Sequence, residues 1–164
     1  MSQHVLSVKV ENRAGVLARV VGLFSARGYN IDSLTVNKTQ VSDVSVITLV
    51  VKGDDRIIEQ VKKQLNKLID VIKVSDHSET RTIQRELAIV KLSSAPTKRV
   101  EIFQIAQTFK AEIVDLSQKS VTLEVVGEPS KVEQFIEIVR PYGIQELIQT
   151  GRVSFAKEGS AEKE

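Results

Sequence analysis

A glycine set where a strand turns into a helix lets backbone amides close around a small anion, and one segment of this sequence offers that arrangement. It reads Val10-Glu11-Asn12-Arg13-Ala14-Gly15-Val16-Leu17. The first amides of a helix have no intrahelical acceptor and lie at the positive end of its dipole, so they suit a carboxylate. Asn12 carries a donor and an acceptor on one side chain, which matches an amino acid with its two opposite charges. The same residues also serve a plainer purpose, in which Asn12 caps the helix and Gly15 eases the turn. Spacing alone favours the plainer purpose.

Other residues with reactive chemistry are sparse. The sequence has no cysteine, which excludes disulfides, thiolate metal sites and cysteine nucleophiles and is compatible with a cytoplasmic location. His4 and His77 lack the cysteines or compact carboxylate set of a metal site and read as exposed surface side chains. Ser93 and Ser94 have no histidine nearby in sequence to activate them. Asp54 and Asp55 follow Gly53 and precede an apolar helical stripe, which suits capping better than paired-carboxylate catalysis. Gly22 falls inside a helical pattern, where it costs about 1 kcal/mol relative to alanine and points to a close-packing role at the ligand or dimer contact. No nucleophile, acid–base pair or metal set converges, so the chain is expected to hold no catalytic residue, metal or cofactor.

The elements that must position the Gly15 turn run strand–helix–strand–strand–helix–strand, and this order then repeats. Period-two alternation over His4–Val10 predicts a half-buried strand, and Leu17, Val20, Val21 and Phe24 mark one face of a helix. Gly28 reads as its left-handed cap. Strands are predicted over 30–39 and 44–52, then a helix buried along Ile58, Val61, Leu65 and Leu68, then a short strand at Val71–Val74. In the second copy a strand over 86–92 leads to a helix with Ile102, Ile105, Ala106 and Phe109 inward. Strands at 111–116 and 120–126 flank Gln118-Lys119, and a helix opening at Pro129 buries Val132, Phe135, Ile136 and Val139. Residues 144–149 and 152–156 complete the second sheet.

This is the split βαβ pattern, an α+β fold of two ferredoxin-like βαββαβ domains. The expected limits are 1–77, a linker at 78–83, 84–157 and a flexible tail at 158–164. Each copy, at about 70–75 residues, has a marginal core, and a four-stranded sheet with helices on one face leaves surface to cover, so oligomerisation is expected. The net charge of +2 and aromatic content of 4% give no basic, aromatic-lined nucleic-acid surface, and no apolar run approaches a membrane span. Lys62, Lys63 and Lys67 read as a solvated face.

Three blocks around the candidate turn stand in a recognisable order: Asn12-Arg13-Ala14-Gly15-Val16-Leu17, Gly22-Leu23-Phe24-Ser25 and Arg27-Gly28-Tyr29-Asn30-Ile31. Gln64-Leu65-Asn66-Lys67-Leu68-Ile69-Asp70-Val71, Arg85-Glu86-Leu87, Ile113-Val114-Asp115, Arg140-Pro141-Tyr142-Gly143-Ile144 and Thr150-Gly151-Arg152-Val153 continue it. Together they closely resemble the small, regulatory subunit of acetohydroxyacid (acetolactate) synthase, over nearly the whole chain. The resemblance implies that the first copy is an ACT domain, that two such domains from different chains pair, and that a branched-chain amino acid, usually valine, binds between them. It also implies a separate, larger catalytic subunit carrying thiamine diphosphate, Mg and FAD, which the small subunit activates and makes sensitive to valine. Carried across by motif, Asn12, Gly15, Val16 and Leu17 form the loop and helix start that hold the inhibitor, and Asn30 and Ile31 complete the pocket from the partner chain. One departure is Ser45-Val46-Ile47-Thr48, where the family commonly has a basic residue in place of Val46. The competing reading is a stand-alone ACT-domain amino-acid sensor that regulates another enzyme or transcription; no segment outside the two copies is long enough for a helix-turn-helix.

Overall fold

In the computed structural model, which describes residues 2–78 and 81–158, the alternating N-terminal segment forms strand β1 (Ser2–Glu11), an inner strand of the first sheet. Helix α1 (Val16–Ser25) follows, then β2 (Ile31–Lys38), β3 (Val44–Gly53), α2 (Asp55–Leu65) and β4 (Val71–Asp76). The sheet order is β2-β3-β1-β4, with β1 antiparallel to both neighbours, so β2 and β4 are the edges. Alternation decides what each strand buries. Leu6, Val8 and Val10 of β1 join Ile47, Leu49 and Val51 of β3 under one stripe of each helix: Val16, Val20 and Phe24 of α1, and Ile58, Val61 and Leu65 of α2.

Local signals set the helix ends. Asp54 caps α2 by accepting from the Ile57 amide at 2.8 Å. Gly28 takes the left-handed conformation at φ 68°, which lets the Tyr29 amide return to the Phe24 carbonyl at 3.1 Å. Gly22 is exposed on α1. A Cβ built there meets, among the described residues, no atom within 4 Å beyond its chain neighbours and the backbone of its own helix, so no packing within the described chain requires glycine. Gly22→Ala is expected to stabilise the chain by about 1 kcal/mol, seen as a higher urea midpoint at unchanged slope.

The second copy repeats the layout with β5 (Thr82–Ser93), α3 (Arg99–Phe109), β6 (Glu112–Leu116), β7 (Ser120–Gly127), α4 (Pro129–Val139) and β8 (Ile144–Gln149). Its sheet runs β6-β7-β5-β8, and a final strand, β9 (Val153–Ala156), also pairs with β5. Ala88, Val90, Leu92, Val121, Leu123 and Val125 pack beneath Ile102 and Ala106 of α3 and all four predicted residues of α4. Phe109 and Phe135 meet edge to face, with ring centroids 5.5 Å apart. Past α4, a 3-10 turn at Arg140–Tyr142 holds Pro141. There the Arg140 guanidinium on Glu137 keeps that carboxyl below the usual carboxylate range.

The chain divides into two compact units. The first unit takes the chain up to Ile83 and also the stretch from Arg152, and the second is Gln84–Gly151. The boundary therefore falls inside β5, whose first residues occupy part of the predicted linker. Residues from Arg152 on join the first compact unit for a physical reason. The face of the first sheet turned away from its helices is polar along β2, and the returning segment meets it. The Arg152 amide donates to Ser33 Oγ at 2.9 Å, Thr35 Oγ1 donates to the Arg152 carbonyl at 2.9 Å, and the Lys157 amide donates to the Arg81 carbonyl. The remaining linker residues 79–80 and tail residues 159–164 lie outside the described residues.

Both histidines, read as exposed from the sequence, are buried. His77 Nδ1 lies 2.8 Å from Ser154 Oγ of β9, and His4 Nδ1 lies 3.3 Å from Ser78 Oγ, with Asp55 3.5 Å from its other nitrogen. Hydrogen bonds with side chains far away in sequence offset the cost of burying each ring. Among the described residues no group of three or more His, Asp or Glu side chains could hold a metal ion, and no helix is long and apolar enough to cross a membrane.

Candidate effector site at the start of the first helix

The turn between β1 and α1 is built around Gly15, which stands at the helix N-cap with φ 83° and ψ −9°. That left-handed conformation suits a residue without a Cβ. No N-cap side chain bonds the first amides of α1, and its first turn carries no acidic residue to complement the positive end of the dipole. The Arg19 amide closes the first helical bond onto the Gly15 carbonyl at 3.1 Å.

Asn12 does not cap the helix. Its amide donates to the Asp43 carbonyl at 2.8 Å and its side-chain Nδ2 donates to the Ser42 carbonyl at 3.0 Å. Both bonds fasten the turn to the loop joining β2 and β3. Oδ1 of the same side chain keeps its acceptor capacity.

The six predicted ligand residues separate into two places. Asn12, Gly15 and Leu17 are exposed at one end of the sheet, with Leu17 at 37%. Val16 sits among them in sequence, but the residue is 3% exposed, its side chain belongs to the core and its amide donates to the Arg13 carbonyl at 3.4 Å. Asn30 is exposed, with Nδ2 on Asp32 Oδ1 at 3.0 Å, and Ile31 packs half-buried against the core. Ile31 registers with Val51, which registers with His4, whereas Glu11 registers with Val44. His4 and Glu11 are seven positions apart on one strand, about 24 Å at 3.4 Å per residue. Within one chain, then, Asn12–Leu17 and Asn30–Ile31 stand at opposite ends of the sheet.

Two residues that border this site were missed from the sequence. Arg19 and Asp70 form an ion pair at 2.6 Å, with the Asp70 side chain almost wholly buried. Asp70 also accepts the Glu11 amide through its backbone carbonyl at 2.9 Å. Arg19 Nη1 lies 3.8 Å from where a Gly15 Cβ would stand, so a guanidinium borders the turn. The spacing of Gly15 and Arg19, one helical turn apart, is the single hint a sequence offers; Asp70 is distant along the chain and is brought there by the β1–β4 pairing. Val46 lies within β3, registered between Lys9 and Asn37, and valine suits that strand.

Comparison with known proteins agrees with this layout. Residues 6–73 match the model of the AHAS small subunit-like ACT domain, and residues 85–158 match that of the small subunit of acetolactate synthase. A protein of Archaeoglobus fulgidus described as a "probable acetolactate synthase small subunit" is 50% identical over 94% of this chain and 97% of its own length. The acetolactate synthase small subunit of Bacillus subtilis is 46% identical over 94% of this chain and 91% of its own. The crystal structure of the small subunit from Thermotoga maritima superposes with a TM-score of 0.87, at 36% identity, over 96% of this chain and 98% of that one. The two ferredoxin-like units, the glycine-started helix and these end-to-end matches place the chain in the acetolactate synthase small-subunit family, with an ACT domain as its first unit.

Proposed function

We propose that this chain is the regulatory subunit of acetolactate synthase in branched-chain amino acid biosynthesis. It activates a separate, larger catalytic subunit in the cytoplasm and confers feedback inhibition by valine. It does no chemistry itself; thiamine diphosphate, Mg and FAD belong to the catalytic subunit. Valine binds between the ACT domains of two copies, with Asn12, Gly15, Val16 and Leu17 of one chain and Asn30 and Ile31 of the other around it.

The observation that supports this reading best is the placement of the two half-sites at opposite ends of one sheet. Strand β2 is an edge, hydrogen-bonded on one side to β3. Two-fold antiparallel pairing of β2 with its copy sets the start of β2 in one chain beside its end in the other. Lys38 registers with Ser45, and Ser45 with Val10, so that end is the Asn12 end. Asn30 of the second chain thereby arrives where the uncapped helix begins. There the amides following Gly15 take the carboxylate, Asn30 takes the ammonium, and Leu17 with Ile31 encloses the branched tail. Each charge-assisted bond contributes about 1.5–3 kcal/mol and burial of the valine side chain about 1.5–2 kcal/mol, before the cost of association. Coupling of about 1–3 kcal/mol between this site and the catalytic subunit suffices for several-fold to hundred-fold control.

Two titrations test the reading. Valine added to the purified chain is expected to give a saturable calorimetric signal. The chain added to its catalytic subunit is expected to raise acetolactate production, and valine to reverse that rise. No stimulation at saturating ratios would refute the regulatory assignment.

A further inference from the structure

Ile69 lies in the turn between α2 and β4 and is 95% exposed, and Ile72, at the start of β4, is also exposed. Neither belongs to the core, although their neighbours Leu68 and Val71 pack against it. The turn that presents Ile69 is closed tightly: the Leu68 amide donates to Leu65 at 3.0 Å and the Val71 amide to Leu68 at 3.0 Å. Directly between the two isoleucines stands buried Asp70, which holds Arg19 of α1 through its side chain and Glu11 of β1 through its carbonyl. A rigid turn bearing exposed apolar side chains is thus fastened to both flanks of the Gly15 turn.

We propose that Ile69 and Ile72 form the docking knob for the larger catalytic chain, and that the Asp70–Arg19 pair transmits effector occupancy to it. The inference rests on the regulatory reading given above and names where that regulation leaves the molecule. The occupant is a different protein rather than a second copy, because β4 is the sheet edge opposite β2, the edge that self-pairing uses. Lys63 and Lys67 stand exposed just before the turn, so the fitting surface is an apolar recess with carboxylates at its rim. A ligand carboxylate arriving at the amides after Gly15 comes up against the Arg19 guanidinium. Any shift of Arg19 pulls on Asp70, and the tight turn passes that shift to Ile69.

The test uses the full chain and its catalytic subunit. Ile69→Ser and Ile72→Ser alter exposed side chains, so calorimetric valine binding to the isolated chain is expected to stay as in the unaltered protein. The concentration giving half-maximal stimulation of acetolactate production is expected to rise about tenfold for Ile69→Ser, the size of one apolar hot-spot truncation. Saturating valine is expected to weaken association of the unaltered chain with the catalytic subunit about fivefold or more, and Asp70→Asn to bring that ratio close to one. Normal half-saturation in both isoleucine variants overturns the docking surface, and an unchanged valine ratio in Asp70→Asn overturns the coupling. If the unaltered chain itself gives no stimulation, the regulatory reading and this inference fall together.

Discussion

Gly15→Asp is expected to abolish valine binding while leaving the chain folded. Space is not the obstacle, since the nearest atom to an added Cβ is the mobile end of Arg19 at 3.8 Å. The backbone at φ 83° strains any L-residue, at about 1–2 kcal/mol, and aspartate is among the residues that bear this conformation best. The decisive effect is electrostatic. An aspartate at the N-cap offers its own carboxylate to the first-turn amides and to Arg19, filling with like charge the place proposed for the ligand's carboxylate. Calorimetry should show no valine heat at concentrations that saturate the unaltered chain, with the unfolding midpoint lowered by no more than that strain. Gly15→Ala serves as the comparison, carrying the strain without the charge, and should weaken binding only in part. Unchanged affinity in Gly15→Asp would remove Gly15 from the site.

Phe24→Ala and Phe135→Ala should each cost about 3–5 kcal/mol, since both rings are fully buried and the surrounding strands cannot close the void. Their functional consequences should part. Phe24 anchors α1, whose N-terminus is the candidate site, so its loss should eliminate valine binding along with stability. Phe135 lies in the other cluster, against Phe109, and its truncation should lower the urea midpoint while valine still titrates. Loss of valine binding in both variants to the same degree would mean that the two clusters do not act separately.

Local patterning made the helices readable. Val132, Phe135, Ile136 and Val139 are all buried along α4, and Asp54 caps α2 as its place after Gly53 suggested, because three or four residues contain the whole cause. The candidate turn was legible to the extent that Gly15 needed a positive φ. What escaped was every feature whose partner lies far along the chain. Asn12 looks like a cap until the β2–β3 loop is placed beside it. His4 and His77 look like surface residues until Ser78 and Ser154 are seen against them. Arg19 looks like one more exposed cation on a helix until β1–β4 pairing brings in Asp70. Val16 was named for the pocket by motif, and its side chain instead points into the core, because the same stripe that builds a helix also decides which residues a ligand can reach.

The return of β9 to the first unit has a consequence for how the molecule is made. Ribosomes release the chain from its N-terminus, so the polar face of the first sheet waits for Arg152 and Ser154 until the second unit has been synthesised. Gln84–Gly151 is continuous and can complete its fold as soon as it emerges, whereas the first-born unit finishes last. Pairings between residues more than a hundred positions apart, such as Thr35 with Arg152, close the largest loops and form slowly. The edge strand that two copies would share is therefore settled at the end of synthesis, which favours pairing between finished chains over pairing between nascent ones.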